Sequence, residues 1–248
     1  ANWKMNPLSI KDAAGIFNGI KQTASRLSNV QTVIAPPYLY IDELSRLYKG
    51  HRISLAGQNV FWEKEGSFTG EISSQMLKNF GVEYVIVGHS ERRALGESDT
   101  EVNQKILSAT KTGLTVILCI GESNRDDKNG THLAFLTSQL KSALNGVTKS
   151  RLSNIIIAYE PIWAIGKSKE EAMKPEELHE TVLFVRKIVA SLFGKKSALE
   201  ISILYGGSAE SGNTEILLTK GMVNGLLVGH ASLKVKEFSD MLRIAQRV

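Results

Sequence analysis

Short apolar, β-branched runs recur along the chain, and amphipathic stretches separate them. The runs cover residues 1–5, 32–36, 53–60, 84–89, 115–122, 154–161, 201–208 and 225–230. They are dense in Val, Ile and Leu, as parallel strands buried on both faces read. Between them, residues 8–27, 39–48, 73–80, 97–110, 132–144, 175–193, 214–219 and 235–245 carry apolar positions at helical spacing. Pro175 followed by Glu176 and Glu177 makes a good helix start. Proline suits the first helical turn, and acids favour the positive end of the helix dipole. Strand–helix alternation repeated eight times predicts parallel β/α units. At 248 residues these most simply close into an eight-stranded (β/α)8 barrel in a single domain, 1–248. An open doubly wound sheet competes with it. That fold wants a Gly-rich turn after the first strand, where this chain has Asn6-Pro7-Leu8. The chain opens directly on a strand-like segment, which suggests a first strand truncated at its N-terminus.

Composition changes this picture little. Apolar residues make up 42% and charged residues 22%, ordinary for a globular chain. The net charge of +5 would suit nucleic acid or a small anionic substrate. No Lys/Arg run exceeds two residues and no basic stripe interleaves aromatics, so nucleic acid is not expected as a partner. A small phosphorylated molecule fits the charge. The one cysteine, Cys119, excludes an intrachain disulfide and points to a reducing compartment, the cytoplasm. It lies in an apolar run and reads as structural. No apolar stretch nears the ~18 residues that a membrane span needs, so no membrane association is expected.

Active sites of such barrels sit at the C-terminal ends of the strands. The polar residues there are therefore the candidates, and alternation along a strand tells which share a face. In the first run Asn2 and Lys4 share one face, while Trp3 and Met5 share the other. His89 closes the fourth run, in phase with Val85 and Val87. Ser90 and Glu91 follow as a helix cap and first-turn acid would. A histidine at the positive end of a short helix could donate from a neutral ring. Glu160 ends the sixth run, in phase with Ile156 and Ala158. A carboxylate beside that much hydrocarbon is costly unless paired, protonated or working, and burial would raise its pKa toward a base's useful range. Pro161-Ile162-Trp163 and the Gly166 loop read as a lid hinged beside it. The last two runs end in glycine, at Tyr205-Gly206-Gly207-Ser208 and Val228-Gly229-His230. Backbone N–H groups there are the usual phosphate cradle of this architecture.

Taken together, Asn2-Trp3-Lys4-Met5-Asn6, Gln58-Asn59-Val60, Phe68-Thr69-Gly70-Glu71, Gly88-His89-Ser90-Glu91-Arg92-Arg93, Cys119-Ile120-Gly121-Glu122, the segment from Ala158 through Glu160 and Trp163 to Gly166, Tyr205-Gly206-Gly207-Ser208 and Val228-Gly229-His230-Ala231-Ser232-Leu233 resemble the triosephosphate isomerases, in the family's order and over essentially the whole chain. The resemblance implies a TIM barrel. It implies interconversion of dihydroxyacetone phosphate and D-glyceraldehyde 3-phosphate, a step of glycolysis and gluconeogenesis, with no metal or organic cofactor. It implies Glu160 as the base, neutral His89 as the group that polarises the carbonyl, and Asn2 and Lys4 as stabilisers of the enediolate. The neutral histidine is an established property of this family. The resemblance gives phosphate binding to the backbone of Gly166, Ser208, Gly229 and His230. It makes Trp163 and Tyr205 hinge and latch of the lid, and Glu91, Arg92 and Glu97 supports of the site. Finally, it implies a homodimer in which Thr69 reaches the neighbouring subunit.

Three departures from the family pattern stand out. The lid, 161–172, is more charged and slightly longer; the segment 93–97 is slightly short; and His230 stands where the family has a second glycine. A positive φ at His230 would cost energy, and His230→Gly is expected to change KM more than kcat. His230 and the lid are the support for a second reading, a non-catalytic or moonlighting barrel that binds a phosphorylated ligand.

Overall fold

A computed structural model describes residues 1–125, 129–164 and 173–248. Among them, seven strands form one parallel sheet in the order β1 (Thr32–Ile34), β2 (Ile53–Gly57), β3 (Tyr84–Val87), β4 (Thr115–Ile120), β5 (Ile155–Tyr159), β6 (Ile203–Tyr205) and β7 (Gly225–Leu226). The expected first strand is reduced to a bridge between Asn2 and Ala35. It still joins the two edges of the sheet. Ala35 N–H donates to Ala1 C=O and Trp3 N–H to Ala35 C=O, while Asn2 N–H donates to Val228 C=O at 2.8 Å. Residues 1–3 thus close the barrel. The segment ends there because Lys4 turns out of the strand at φ 54°, a left-handed conformation uncommon for a side-chain-bearing residue. The turn also undoes the alternation expected of this segment: Trp3 is buried and Met5 is 88% exposed.

The helices are α1 (Ile10–Ala24), α2 (Ile41–Leu47), α3 (Ser74–Asn79), α4 (Ser90–Ala94), α5 (Asp99–Lys111), α6 (Thr131–Ala143), α7 (Lys149–Leu152), α8 (Pro175–Phe193), α9 (Lys195–Glu200), α10 (Ser211–Thr219) and α11 (Val235–Ala245). The short α4, α7 and α9 lie outside the helical stretches read from the sequence, and α8 starts at Pro175 as expected. Helix α5 opens on a capping box: Ser98 accepts Glu101 N–H and Glu101 accepts Ser98 N–H.

Side chains from alternate strand positions form two layers. Ala35, Ala56, Ile86, Ile117, Cys119, Ala158 and Leu227 fill the interior. The opposite faces, with Val85, Val116, Leu118, Ile157 and Ile203 among them, pack under the helices together with Phe17, Leu136 and Val185. This double burial explains the apolar runs. A cavity of about 900 Å³ opens at the N-terminal ends of the strands, lined by Ala1, Val33, Ile117 and Leu204 among others. The C-terminal ends, opposite that cavity, carry the polar cluster. No helix among the described residues is long and apolar enough to cross a membrane.

Candidate active site

The runs read as strands overshoot the paired segments, chiefly at their C-terminal ends. Those overshoots are the loops that hold the site. Beyond Val87 the chain turns at Gly88, whose φ of 74° suits glycine. A side chain there would also meet Cys119 O at 3.1 Å. The turn corrects one expectation. Val85 and Val87 point to the helix layer, and His89, in phase with them on paper, is redirected into the mouth of the barrel. A second correction concerns the cap of α4. His89 itself caps it, Nδ1 accepting Glu91 N–H at 3.2 Å, and Ser90 is the first helical residue. An accepting Nδ1 carries no hydrogen, so the neutral ring carries its hydrogen on Nε2.

Nε2 faces Glu160 Oε1 at 3.1 Å. Glu160 is 2% exposed. Its backbone N–H donates to Ile120 C=O at 2.8 Å, and its Oε2 accepts Ser90 N–H at 2.9 Å. Burial raises its pKa above the ordinary carboxylate value, against the opposing pull of His89, Ser90 and Lys4. A buried carboxylate of raised pKa, against the N–H of a neutral imidazole, is equipped to take and return a proton. Its walls are glycine. A Cβ at Gly206 would lie 2.8 Å from Glu160 Cγ, and one at Gly121 only 1.8 Å from Glu160 O.

The cation of the site enters from the other side. Lys4 Nζ donates to Glu91 Oε1 at 2.7 Å, and Asn2 Oδ1 accepts Lys4 N–H at 3.0 Å. Gln58 Nε2 donates to Lys4 C=O at 2.8 Å and to Ala35 C=O at 2.9 Å, which holds the turn at Lys4 in place. The Lys4 side chain runs past Gly229, where a Cβ would come within 3.4 Å of Cε. Asn2, Lys4, Glu91, His89 and Glu160, with Gly206 and Gly229, therefore line one mouth.

The remaining candidates fall around it. Glu97 lies behind the His89 turn: its buried carboxylate accepts Gly88 N–H at 3.1 Å and pairs with Arg92 at 3.3 Å. Tyr205 is buried, and desolvation pushes its pKa up to about 12, so the phenol stays protonated. Ser208 C=O accepts from Asn213 Nδ2 at 3.1 Å. His230 opens a short 3-10 turn, is exposed, and lacks the positive φ that a glycine would permit. Thr69 is exposed, on the loop between Phe61 and Ser73. Gly166 and most of the lid lie outside the described residues. Cys119 is buried in the inner layer, and desolvation, then the Glu160 charge, keep its thiol protonated.

Three residues to which the sequence reading gave no role matter here. Glu122, 2% exposed, accepts from Tyr159 O–H at 2.8 Å and from Trp163 Nε1–H at 2.9 Å. Lys105 pairs with Glu97 and donates to Asn59 Oδ1 at 2.9 Å. Gln139 accepts Gly121 N–H at 3.0 Å. For Lys105 and Gln139 a signal existed: each occupies an apolar phase of its helix, among Val102, Ile106 and Ala109 or Leu136, Leu140 and Ala143. A polar group there needs a partner.

The chain matches the family model for triosephosphate isomerase over residues 1–245. It belongs to the triosephosphate isomerase family. Similar proteins of that name include one from Thermoanaerobacter sp. (strain X514), 40% identical over 97% of this chain and 96% of its own length. Another, from Dehalococcoides mccartyi, is 40% identical over 100% of this chain and 96% of its own. A third, from Carboxydothermus hydrogenoformans, is 40% identical over 98% and 96%. The family is one of isomerases, and its barrel accounts for the seven strands and the closing segment seen here.

Proposed function

We propose that this chain interconverts dihydroxyacetone phosphate and D-glyceraldehyde 3-phosphate through an enediolate. The observation that carries the reading is the pair of buried Glu160 and His89, 3.1 Å apart. Glu160 takes a proton from the carbon beside the carbonyl. The C–H electron pair forms the C=C bond of the enediolate, and the carbonyl pair moves onto oxygen. His89 Nε2–H donates to that oxygen and moves protons between the two oxygens. Glu160 then returns its proton to the neighbouring carbon. Lys4 and the Asn2 amide stabilise the developing charge, the kind of preorganised term that is often largest in catalysis. Gly229, Ser208 and the His230 N–H, with Gly166 from the lid, hold the phosphate. Trp163 and Tyr205 serve the lid. Glu91, Arg92 and Glu97 support the site. The reaction serves glycolysis and gluconeogenesis in the cytoplasm, in keeping with the single buried thiol.

The working unit is a homodimer. Its support is the exposed loop that carries Thr69, with Phe68 43% exposed beside it, and the exposed Met5, Leu8 and Leu95 near the site loops. Sedimentation tests this: a dimer in the native chain, and a monomer after Thr69→Arg, is the expected result.

Turnover of glyceraldehyde 3-phosphate by purified protein, coupled to reduction of the product, tests the reaction. Isomerisation that disappears with Glu160→Ala is expected. Absence of turnover, with 2-phosphoglycolate still bound, would instead favour the binding protein.

A further inference from the structure

Glu160 is held by the end of β4 as much as by its own strand. Its N–H donates to Ile120 C=O at 2.8 Å, and Ile162 N–H donates to Glu122 C=O at 3.1 Å. Ile120 and Glu122 therefore turn their carbonyls toward β5. Gly121 between them must turn its N–H to the opposite edge. On that edge β3 has already ended, at Val87 opposite Leu118. The Gly121 N–H has run past its strand partner and lies in a buried place, where an unpaired donor is costly. Gln139 of α6, itself 3% exposed, supplies the acceptor at 3.0 Å.

The consequence falls on Glu160. Gly121 packs so closely that a Cβ there would lie 1.8 Å from Glu160 O and 2.8 Å from its carbonyl carbon. Nothing between them can absorb a shift. If Gly121 moves, the Glu160 backbone moves with it, and the carboxylate leaves its place against His89 and Ser90. An error of about 1 Å in such a group can cost on the order of a hundredfold in rate.

We infer that Gln139 is a positioning residue: by anchoring Gly121 from α6, it fixes the placement of the Glu160 carboxylate for proton transfer. This rests on the isomerase reading of the site. Among the described residues Gln139 bonds the Gly121 N–H and not the loops at Ser208 and Gly229, so the effect belongs in kcat and not in KM.

The test compares Gln139→Met, which keeps length but loses the acceptor, with Gln139→Glu, which keeps an oxygen in the same place. Both are assayed on the alkaline plateau of activity, after near-UV circular dichroism establishes folding. The Met variant should lose about ten- to a hundredfold in kcat, with KM and competitive inhibition by inorganic phosphate within about twofold. The Glu variant should recover most of the loss. If the Met variant does not fold, Gln139→Asn, whose amide stops a methylene short, carries the same expectation. A folded variant without the acceptor but with native kcat overturns the inference, and so does a Glu variant as impaired as Met. A native chain that isomerises nothing overturns the isomerase reading instead. Then 13C NMR titration of the Glu160 carboxyl decides the inference: a midpoint displaced in the Met variant supports it, and an unmoved one overturns it.

Discussion

His89 Nε2 sits 3.1 Å from Glu160 Oε1, while the second oxygen of the same carboxylate takes Ser90 N–H. At that separation no carbon skeleton fits between the two side chains, so on the proposed isomerase reading substrate entry must part them. The reach of the glutamate side chain is then decisive. Glu160→Asp withdraws the carboxylate by one methylene and leaves the phosphate loops untouched. We expect kcat to fall by roughly a hundred- to a thousandfold, with KM changed by less than about threefold. Steady-state kinetics in both directions will read it. An Asp variant within tenfold of native kcat would show that placement is not limiting.

The environment of Glu160 also sets a pH dependence of stability. Burial raises its folded pKa above the unfolded carboxyl value, which is about 4.3. For a carboxyl raised in this way, the favourable contribution is full below the unfolded pKa and is lost as pH rises through the folded one. The native chain should therefore lose ground to Glu160→Gln between about pH 4 and about pH 8. Urea midpoints at the two pH values measure it. A gap between the proteins that stays constant with pH would mean that Glu160 does not titrate as a buried base.

Lys105 and Glu97 form an ion pair whose side chains are 5% and 2% exposed. Removing one partner of such a pair strands the other, at a cost of about 3–5 kcal/mol. Arg92 also reaches Glu97, so the low end is expected for Lys105→Met. That corresponds to a fall in Tm of about 6–12 °C in a chain of this size. Calorimetry checks it. The same change loosens the carboxylate that holds Gly88 N–H, so kcat should fall too, by less than for Glu160→Asp.

How far the sequence carried these conclusions differs between the two reacting residues. Glu160 obeyed strand alternation: Ala158 points into the barrel, Ile156 lines the interior cavity, and the carboxylate continues their face. His89 did not, because Gly88 turns the chain between strand and ring. Alternation is a property of extended backbone and ends where the backbone ends. The eight-fold repeat was equally plain, since parallel strands buried on both faces must be apolar throughout. The first strand was overread because its residues are strand-like, while the conformation of Lys4 is fixed by Gln58, 54 residues away. For Lys105 and Gln139 the apolar helical phase signalled that a partner was needed, but not which one. Their partners, Glu97 and the Gly121 N–H, are set by packing and not by spacing.

Glu122 offers a further test. Tyr159 is fully buried, so without Glu122 its O–H has no route to water, whereas Trp163 is partly exposed. The cost of Glu122→Leu should then come chiefly from Tyr159, about 1–3 kcal/mol. Glu122→Gln keeps an acceptor oxygen and should lose less than half as much. Urea denaturation separates the two variants. Trp163 emission should shift to the red in the Leu variant, as its indole N–H exchanges a protein acceptor for water. An unchanged spectrum would show that the bond to Glu122 does not hold the indole.

His230 replaces the glycine usual in the family, and the sequence alone suggested strained backbone there and weakened phosphate binding. The geometry reduces both concerns. His230 has no positive φ, so its Cβ carries no conformational cost, and its side chain is exposed, so it needs no room inside the site. Its N–H follows Gly229, which lies beside the Lys4 side chain: a Cβ there would touch Lys4 Cε at 3.4 Å. The two positions should therefore respond differently. His230→Gly is expected to change KM by less than about threefold and to leave kcat alone; any effect belongs in KM, because the backbone donor survives the change. Gly229→Ala should raise KM by more than that, as the added methyl comes into contact with Lys4, whose ammonium serves the site. Steady-state kinetics of both variants, with inorganic phosphate as a competitive inhibitor, decide the matter. Equal effects at the two positions would mean that the loop is held by something other than the space beside Lys4.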